Sequence, residues 1–538
     1  MEQGNTLKRC VLIVILVLNA AVVLGLVGGC SPAHYKKEAD EEVSKIIDSK
    51  WDKSFGQKAN YSISDVTPSA NDLQVGKEIP SSGVLTLAQA VAIATAHNRD
   101  YQRSKEELYE VALGLTLERH QYTLQWFGTI DAEFASNKEN EKELTSGSEM
   151  GFNQLLADGA AVTAKITLDW ARFLTGDPRT SLISVLSATI TQPLLRGRGR
   201  AIAQEDLTQA ERRVLYQIRT FNRYRKTFVV SIVTSYYKAL LKKNEVANAQ
   251  NDYKRKVLWT KQLEMEAKNG RRNRFEVDQA QQSELAAKDS FGKTQREYKE
   301  ALDKFKIELA LSTNVDFELD PNELMALEKG VTEPDYTLKA AIETALLRRL
   351  DLANSEEYIE DAARQAMIAS DNLGAELNFI AGIGTTATGR DDVSRFRFGK
   401  DEYSLGLQSD DLPFDRLSER NAYRRALITL TQTQRQHEDN LANVELEVRQ
   451  AYRQLIEAAQ RYRIQKISLD LAKKRVDSTP MLLKTGRAST RDLLESQNAL
   501  LGAQNDVASA LVDHAVAKLN FFQDIGILQV RPDGMWER

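Results

Sequence analysis

A chain of 538 residues with a formal net charge of −4 lacks the basic excess of a nucleic-acid binder, so no nucleic acid is expected as a partner. Its two cysteines, Cys10 and Cys30, exclude a disulfide framework. Charged residues make up 28% of the chain and prolines number only ten, the bias of long solvated helices with apolar seams.

The chain opens with Lys8 and Arg9, an apolar run over 10–27, and then Gly28-Gly29-Cys30. A basic start, an apolar core and small residues before a cut describe a secretory signal over residues 1–29. Cys30 after two glycines matches a bacterial lipobox, which predicts lipidation of Cys30 and cleavage before it. Ser31 in the next position fits an outer-membrane address. The other reading of this run is an uncleaved N-terminal membrane helix, since it nearly reaches spanning length. No later stretch is apolar enough for a membrane helix, so any further crossing must be a closed β-barrel.

Residues 30–84 form an N-terminal extension. From 85 on, proline spacing marks the elements. None falls between Pro193 and Pro321, or between Pro413 and Pro480, or from there to Pro532. Such windows predict helices far longer than the globular norm. Tyr298, Leu302, Phe305 and Leu309 alternate steps of four and three, and Leu493, Leu500, Val507 and Leu511 follow in steps of seven, seven and four, both the a/d spacing of helices packed side by side. One helix over 201–268 would run roughly 100 Å at 1.5 Å per residue.

Between these windows lie alternating segments at 126–136, 181–191, 377–386 and 402–412. Each has about the nine to eleven residues a tilted barrel strand needs to cross a bilayer. Polar stretches at 137–148 and 389–400 are expected to be exposed loops, and 152–171 an extra hairpin within the first of these connections. Proline ends a strand at Pro193 and again at Pro413, each before an Arg-rich helix start.

The halves align with each other. Leu85-Thr86-Leu87 matches Tyr336-Thr337-Leu338, Asp100 meets Asp351 without a gap, and Gly270-Arg271 corresponds to Gly486-Arg487. The expected order is helix, strand, strand, long helix, turn, long helix, over 85–312 and again over 336–526. A linker at 313–335 and a tail at 527–538 complete the chain. Four strands cannot close a barrel alone, because the smallest outer-membrane barrels need eight. Oligomerisation follows from the count.

With these motifs the chain resembles the TolC-like outer-membrane efflux family from 85 to 526, in its lipoprotein branch. The duplication, the Thr191-Gln192-Pro193-Leu194-Leu195-Arg196-Gly197 junction, the Gly486 to Glu495 motif and the lipobox carry the resemblance. It implies an α+β membrane protein. Long antiparallel helices would form a trimeric α-barrel, and four β-strands per chain would contribute to a 12-stranded outer-membrane β-barrel. It further implies a homotrimer, a periplasmic adaptor, an inner-membrane transporter that supplies the energy, and outer-membrane lipid as partners. Residues 31–84 and 314–335 would form a belt around the helices.

Asp492 and Glu495 stand three apart after the tip turn, so they share a helix face. In threefold symmetry they would ring the periplasmic entrance and favour cations, as the matching acids do in the family. The other reading is a pair of solvated acids favoured at a helix N-terminus. Glu276 and Gln279 occupy the matching positions of the first half. Gly270 and Gly486 would permit tight turns, and Arg271 and Arg487, with Arg272, Arg274 and Arg491, would give the tip a basic edge for the adaptor or simply a solvated face. Arg196, Arg198 and Arg200 would reach lipid headgroups from the barrel rim.

Five histidines with no HExxH spacing and no G-x-S-x-G elbow leave no expected catalytic residue, metal or cofactor. Two other readings remain: the outer-membrane exit channel of type I protein secretion, and a structural coiled-coil lipoprotein without a pore. The sequence does not name an exported substrate.

Overall fold

The computed structural model describes residues 31–52, 55, 58, 60–63, 83–136, 142–174, 180–331, 336–389, 401–409, 414–531 and 536–537. Cys30, the signal segment and Pro413 lie outside the described residues. In chain order the elements are α1 (Pro32–Lys50), β1 (Val84–Leu85), α2 (Leu87–His97), α3 (Arg99–Gln121), β2 (Gln125–Ser136), β3 (Lys142–Leu155), β4 (Ala161–Phe173) and β5 (Thr180–Pro193). Then come α4 (Arg200–Ala203), α5 (Glu205–Lys268), α6 (Arg274–Glu308), β6 (Glu318–Leu319), α7 (Asn322–Leu327), α8 (Leu338–Arg348) and α9 (Leu350–Asp371). The last are β7 (Asn378–Gly389), β8 (Asp401–Gln408), α10 (Leu417–Lys484), α11 (Thr490–Asp524), β9 (Gln529–Val530) and β10 (Trp536–Glu537). No helix among the described residues is long and apolar enough to cross a membrane.

The helices begin where the sequence offers caps. Thr86 and Gln89 form a reciprocal capping box at α2, and the Thr337 hydroxyl accepts from the Ala340 N–H at α8. Both helices are eleven residues long, and each is followed at once by a longer one. α5 has 64 residues and α10 has 68, contours of about 96 and 102 Å at 1.5 Å per residue. α5 starts at Glu205 rather than 201, because the chain breaks at Gln204 after the short α4. Pro480 does not end α10, which continues one more turn to Lys484.

Two units divide the chain. The first comprises 1–50, 109–217 and 356–435. It holds a six-stranded antiparallel sheet in the order β2-β3-β4-β5-β7-β8. This corrects the expected count of four. The segment at 152–171 is not a hairpin held in a loop but part of two full strands, and the expected loop at 137–148 is β3 from Lys142 onward. The physical reason is that β3 carries Ser146 and Ser148 on the face where neighbouring strands carry apolar residues. That substitution erases the alternation by which strands are read.

Opposed residues in the ladders share a face, so the pairing sorts the sheet into two surfaces. Trp126, Ile130 and Phe134 of β2, Met150 of β3, Leu186 of β5, Ile383 of β7 and Leu405 of β8 all lie on one face, and all are exposed. Asp131, Glu133, Glu143, Glu149, Lys165, Asp169 and Glu402 lie on the other.

At the end of β5 the Arg196 guanidinium meets Glu376 at 2.6 Å, and the Gly197 N–H donates to Asp371 at 2.7 Å. Arg196 is thus committed to a half-buried ion pair and not, as expected, to lipid headgroups. In the same unit Asp361 accepts from Tyr216 at 2.8 Å and pairs with Arg212 at 2.7 Å and Arg364 at 2.6 Å. Arg364 also grips Glu205, binding α9 to the start of α5.

The second unit comprises 51–108, 218–355 and 436–538. Tyr101 packs among Phe221, Tyr224 and Phe228 with ring centroids 5.0–6.2 Å apart, and buried Tyr236 donates to the Leu85 carbonyl at 3.0 Å. Phe305 and Leu309 are fully buried, as are Leu493 and Leu511 of α11. A two-residue parallel pairing of β1 with β6 and the packing of Leu324 and Leu327 against Tyr462 and Leu511 hold the linker onto the helices.

Candidate functional site

Two tight helix reversals lie side by side in the second unit. Each long helix ends on a glycine at positive φ, Gly270 at 72° and Gly486 at 74°. Both are Schellman endings, with Arg271 N–H on the Glu266 carbonyl and Arg487 N–H on that of Leu482, each at 2.9 Å. A side chain at either position would be held in a strained conformation. The returning helices are capped by Asn273, which accepts from the Phe275 N–H, and by Ser489.

Asp492 completes a capping box with Ser489: its carboxylate accepts from the Ser489 N–H at 2.8 Å and hydroxyl at 2.7 Å. These hydrogen bonds hold the exposed carboxyl below the usual aspartate range. Glu495 is also exposed and pairs with Arg475 at 3.0 Å across the two helices. Asp492 therefore does the work of an N-terminal helix acid within the chain. Its fully exposed carboxylate still faces solvent together with Glu495.

The first-half acid behaves differently. Glu276 is half-buried, accepting from Arg272 at 3.3 Å and from the buried Thr490 hydroxyl at 3.0 Å. Arg272 also pairs with Glu266 at 3.0 Å and donates to the Leu483 carbonyl at 3.3 Å. These contacts latch one helix hairpin to the other. Beneath them Leu263, Val277 and Ala280 form a small apolar cluster. Arg271, Arg274, Arg487 and Arg491 remain exposed around the turns. Sequence spacing placed Arg272 among the basic edge and passed over Thr490, because a latch between segments more than 200 residues apart leaves no periodic mark.

Pro193 closes β5 opposite Asn378 of β7. Among the described residues no group of His, Cys, Asp and Glu could hold a metal ion.

Comparison with known proteins fits this geometry. Residues 341–523 match the outer membrane efflux protein family. That match covers the second half's helices and strands, and the chain is similar there to the TolC-like outer membrane efflux proteins. The match spans α10 and nearly all of α11, so Gly486, Arg487, Asp492 and Glu495 lie inside it, whereas the turn at Gly270 does not. A relative is the alkaline protease secretion protein AprF of Pseudomonas aeruginosa, 25% identical over 356 residues, which cover 64% of this chain and 70% of that one. Among solved structures, CusC superposes with a TM-score of 0.59 at 14% identity, over 87% of this chain and 96% of that one. The CmeC outer membrane channel of Campylobacter jejuni does so with 0.59 at 12%, over 88% and 91%. The chain thus has the fold of outer-membrane channels, and a channel in efflux or export is the function that these likenesses support.

Proposed function

We propose that this chain works as an outer-membrane efflux protein, a homotrimeric passive duct with its sheet in the outer membrane and its helix tips as a periplasmic gate. The observation that carries the reading is the sheet. One face exposes large apolar side chains, and β2 and β8 end the sheet without a further partner strand among the described residues. Lipid tolerates no open sheet edge, so copies must pair β8 of one with β2 of the next. An apolar seam on α10 supports the same assembly: Ile464, Ile467 and Leu471 are each at least 60% exposed at coiled-coil spacing.

On this reading residues 1–29 are a signal peptide and Cys30 carries lipid. Repeats at 85–312 and 336–526 build the conduit, 30–84 and 313–335 belt it, and 527–538 form the tail. The half-buried latch of Arg272, Glu276 and Thr490 supports a gate at the tip. Asp492 and Glu495, repeated threefold, would ring its entrance and select cations. Exposed Arg271 and Arg487 would meet an acidic face of the periplasmic adaptor, which couples the duct to an inner-membrane transporter.

Reconstitution in a planar bilayer tests this. Discrete conductance steps and a cross-linkable trimer are expected; neither appearing would overturn the reading. The relation to AprF, whose name records protease secretion, favours a second reading as the exit duct of a protein secretion system. Co-purification of the inner-membrane partner separates the two.

A further inference from the structure

The hairpin of β3 and β4 sits inside the sheet, between β2 and β5, and does not hang from it. β3 pairs with β2 through twelve residues and with β4 through thirteen, and β4 pairs with β5 through twelve. Each of the two strands is 13 or 14 residues long, more than the nine to eleven a bilayer requires. Their faces continue those of the neighbours. Met150 and Ile166 lie on the apolar face, while Glu149, Lys165 and Asp169 lie on the polar one, where Lys165 pairs with Glu149 at 3.2 Å.

The hairpin turn is built into the wall as well. Gly159 lies at φ 93°, and a Cβ there would come within 2.8 Å of the Gly197 carbonyl and 3.2 Å of Pro193. The Gly199 N–H donates to the Asp158 carbonyl at 3.1 Å. The turn is thus seated on the strand-to-helix junction that ends β5.

We propose that β3 and β4 are wall strands that widen the outer-membrane exit, making it a passage for cargo bulkier than a four-strand protomer would admit. The inference rests on the trimeric duct reading. Three copies of a six-stranded sheet make eighteen strands, where four apiece would make twelve. Barrel diameter grows roughly linearly with strand number, so the bore is about 1.5 times as wide and about twice the area. The added wall brings two carboxylates beyond the Glu149–Lys165 pair, Glu143 and Asp169, so it disfavours anionic cargo.

Deleting 142–173 tests the proposal, because β2 and β5 run antiparallel and can then pair directly. The reporter is a cysteine at Ser187, on the polar face of β5, labelled from outside intact cells with maleimide-polyethylene glycols of graded size. The full chain is expected to admit reagents about 1.5 times larger in radius than the deleted chain admits; an identical cut-off overturns the proposal. Should the deleted chain fail to assemble, Thr167→Cys and Ile166→Cys in the full chain decide. A small water-soluble maleimide should modify the first at least tenfold faster than the second, whereas equal rates would put the hairpin in water and not in the wall. Absence of a trimer in the full chain would instead defeat the duct reading itself.

Discussion

The guanidinium of Arg272, at the first helix turn, donates to the backbone carbonyl of Leu483, at the second, over 3.3 Å. The Leu483 carbonyl also accepts the Gly486 N–H of its own turn at 3.2 Å, so the guanidinium adds a second hydrogen bond to a helix-ending carbonyl and ties one hairpin's turn to the other hairpin's charge. Glu276 and Thr490 close the same connection from the other side. Such half-buried hydrogen bonds to charged groups contribute about 1.5–3 kcal/mol each.

Arg272→Ala should therefore loosen the tip. Single-channel recordings are expected to show a several-fold rise in mean conductance or open time. Thr490→Val should produce a smaller rise, and the double variant less than the sum, since both act through Glu276. Strictly additive effects would show that the two residues do not share a latch.

Replacing Asp492 and Glu495 by Ala should reduce cation selectivity, measured as a reversal potential moving toward zero in a salt gradient. Asn at Asp492 retains part of the cap, so Asp492→Asn separates lost charge from lost helix start. Because Asp492 titrates below the usual range through its Ser489 hydrogen bonds, its cap is present above the ordinary aspartate value. It is lost as pH falls through the lowered one. A selectivity unmoved by either variant would leave both acids as helix-start residues only.

The two sheet faces should respond oppositely to charge. Ile383→Arg places a cation on the apolar face and is expected to cost about 2–4 kcal/mol at mid-bilayer depth. Thr189→Arg, on the polar face of the neighbouring strand, should fold normally and shift selectivity toward anions. Urea titration of the protein in lipid vesicles compares them. Equal stability of the two variants would refute the assignment of faces.

Asp524, at the end of α11, has its carboxyl pushed up to about 6 by burial; Arg349 opposes that shift and Glu447 adds to it. Its folded pKa is raised, so the stability it contributes is present below the ordinary carboxylate range. That stability is lost as pH rises through about 6. Asp524→Asn should raise the melting temperature at pH 7.5 by a few degrees and flatten its dependence between pH 4 and 6. An unaltered pH slope would exclude this residue as the source.

Much of the fold was legible because it repeats. Thr86 and Thr337 announce equivalent helix starts, and the proline-free windows announce α5 and α10. The break at Gln204 and the passage of α10 through Pro480 are local adjustments that a propensity cannot rank. β3 was lost because Ser146 and Ser148 stand on the face where the neighbouring strands are apolar. At the tip, Gly270 and Gly486 declared their turns, while the latch stayed hidden.

The amino-acid order alone determined the local structure: helix lengths, caps, turn glycines and the alternation of most strands. These depend on residues a few positions apart, whose chemistry is written consecutively. Only the tertiary structure decided that the sheet has six strands, that Arg196 belongs to Glu376, and that Arg272 spans to Leu483. Those outcomes depend on register and on contacts between segments far apart in the chain, 211 residues for Arg272 and Leu483, which no local pattern encodes.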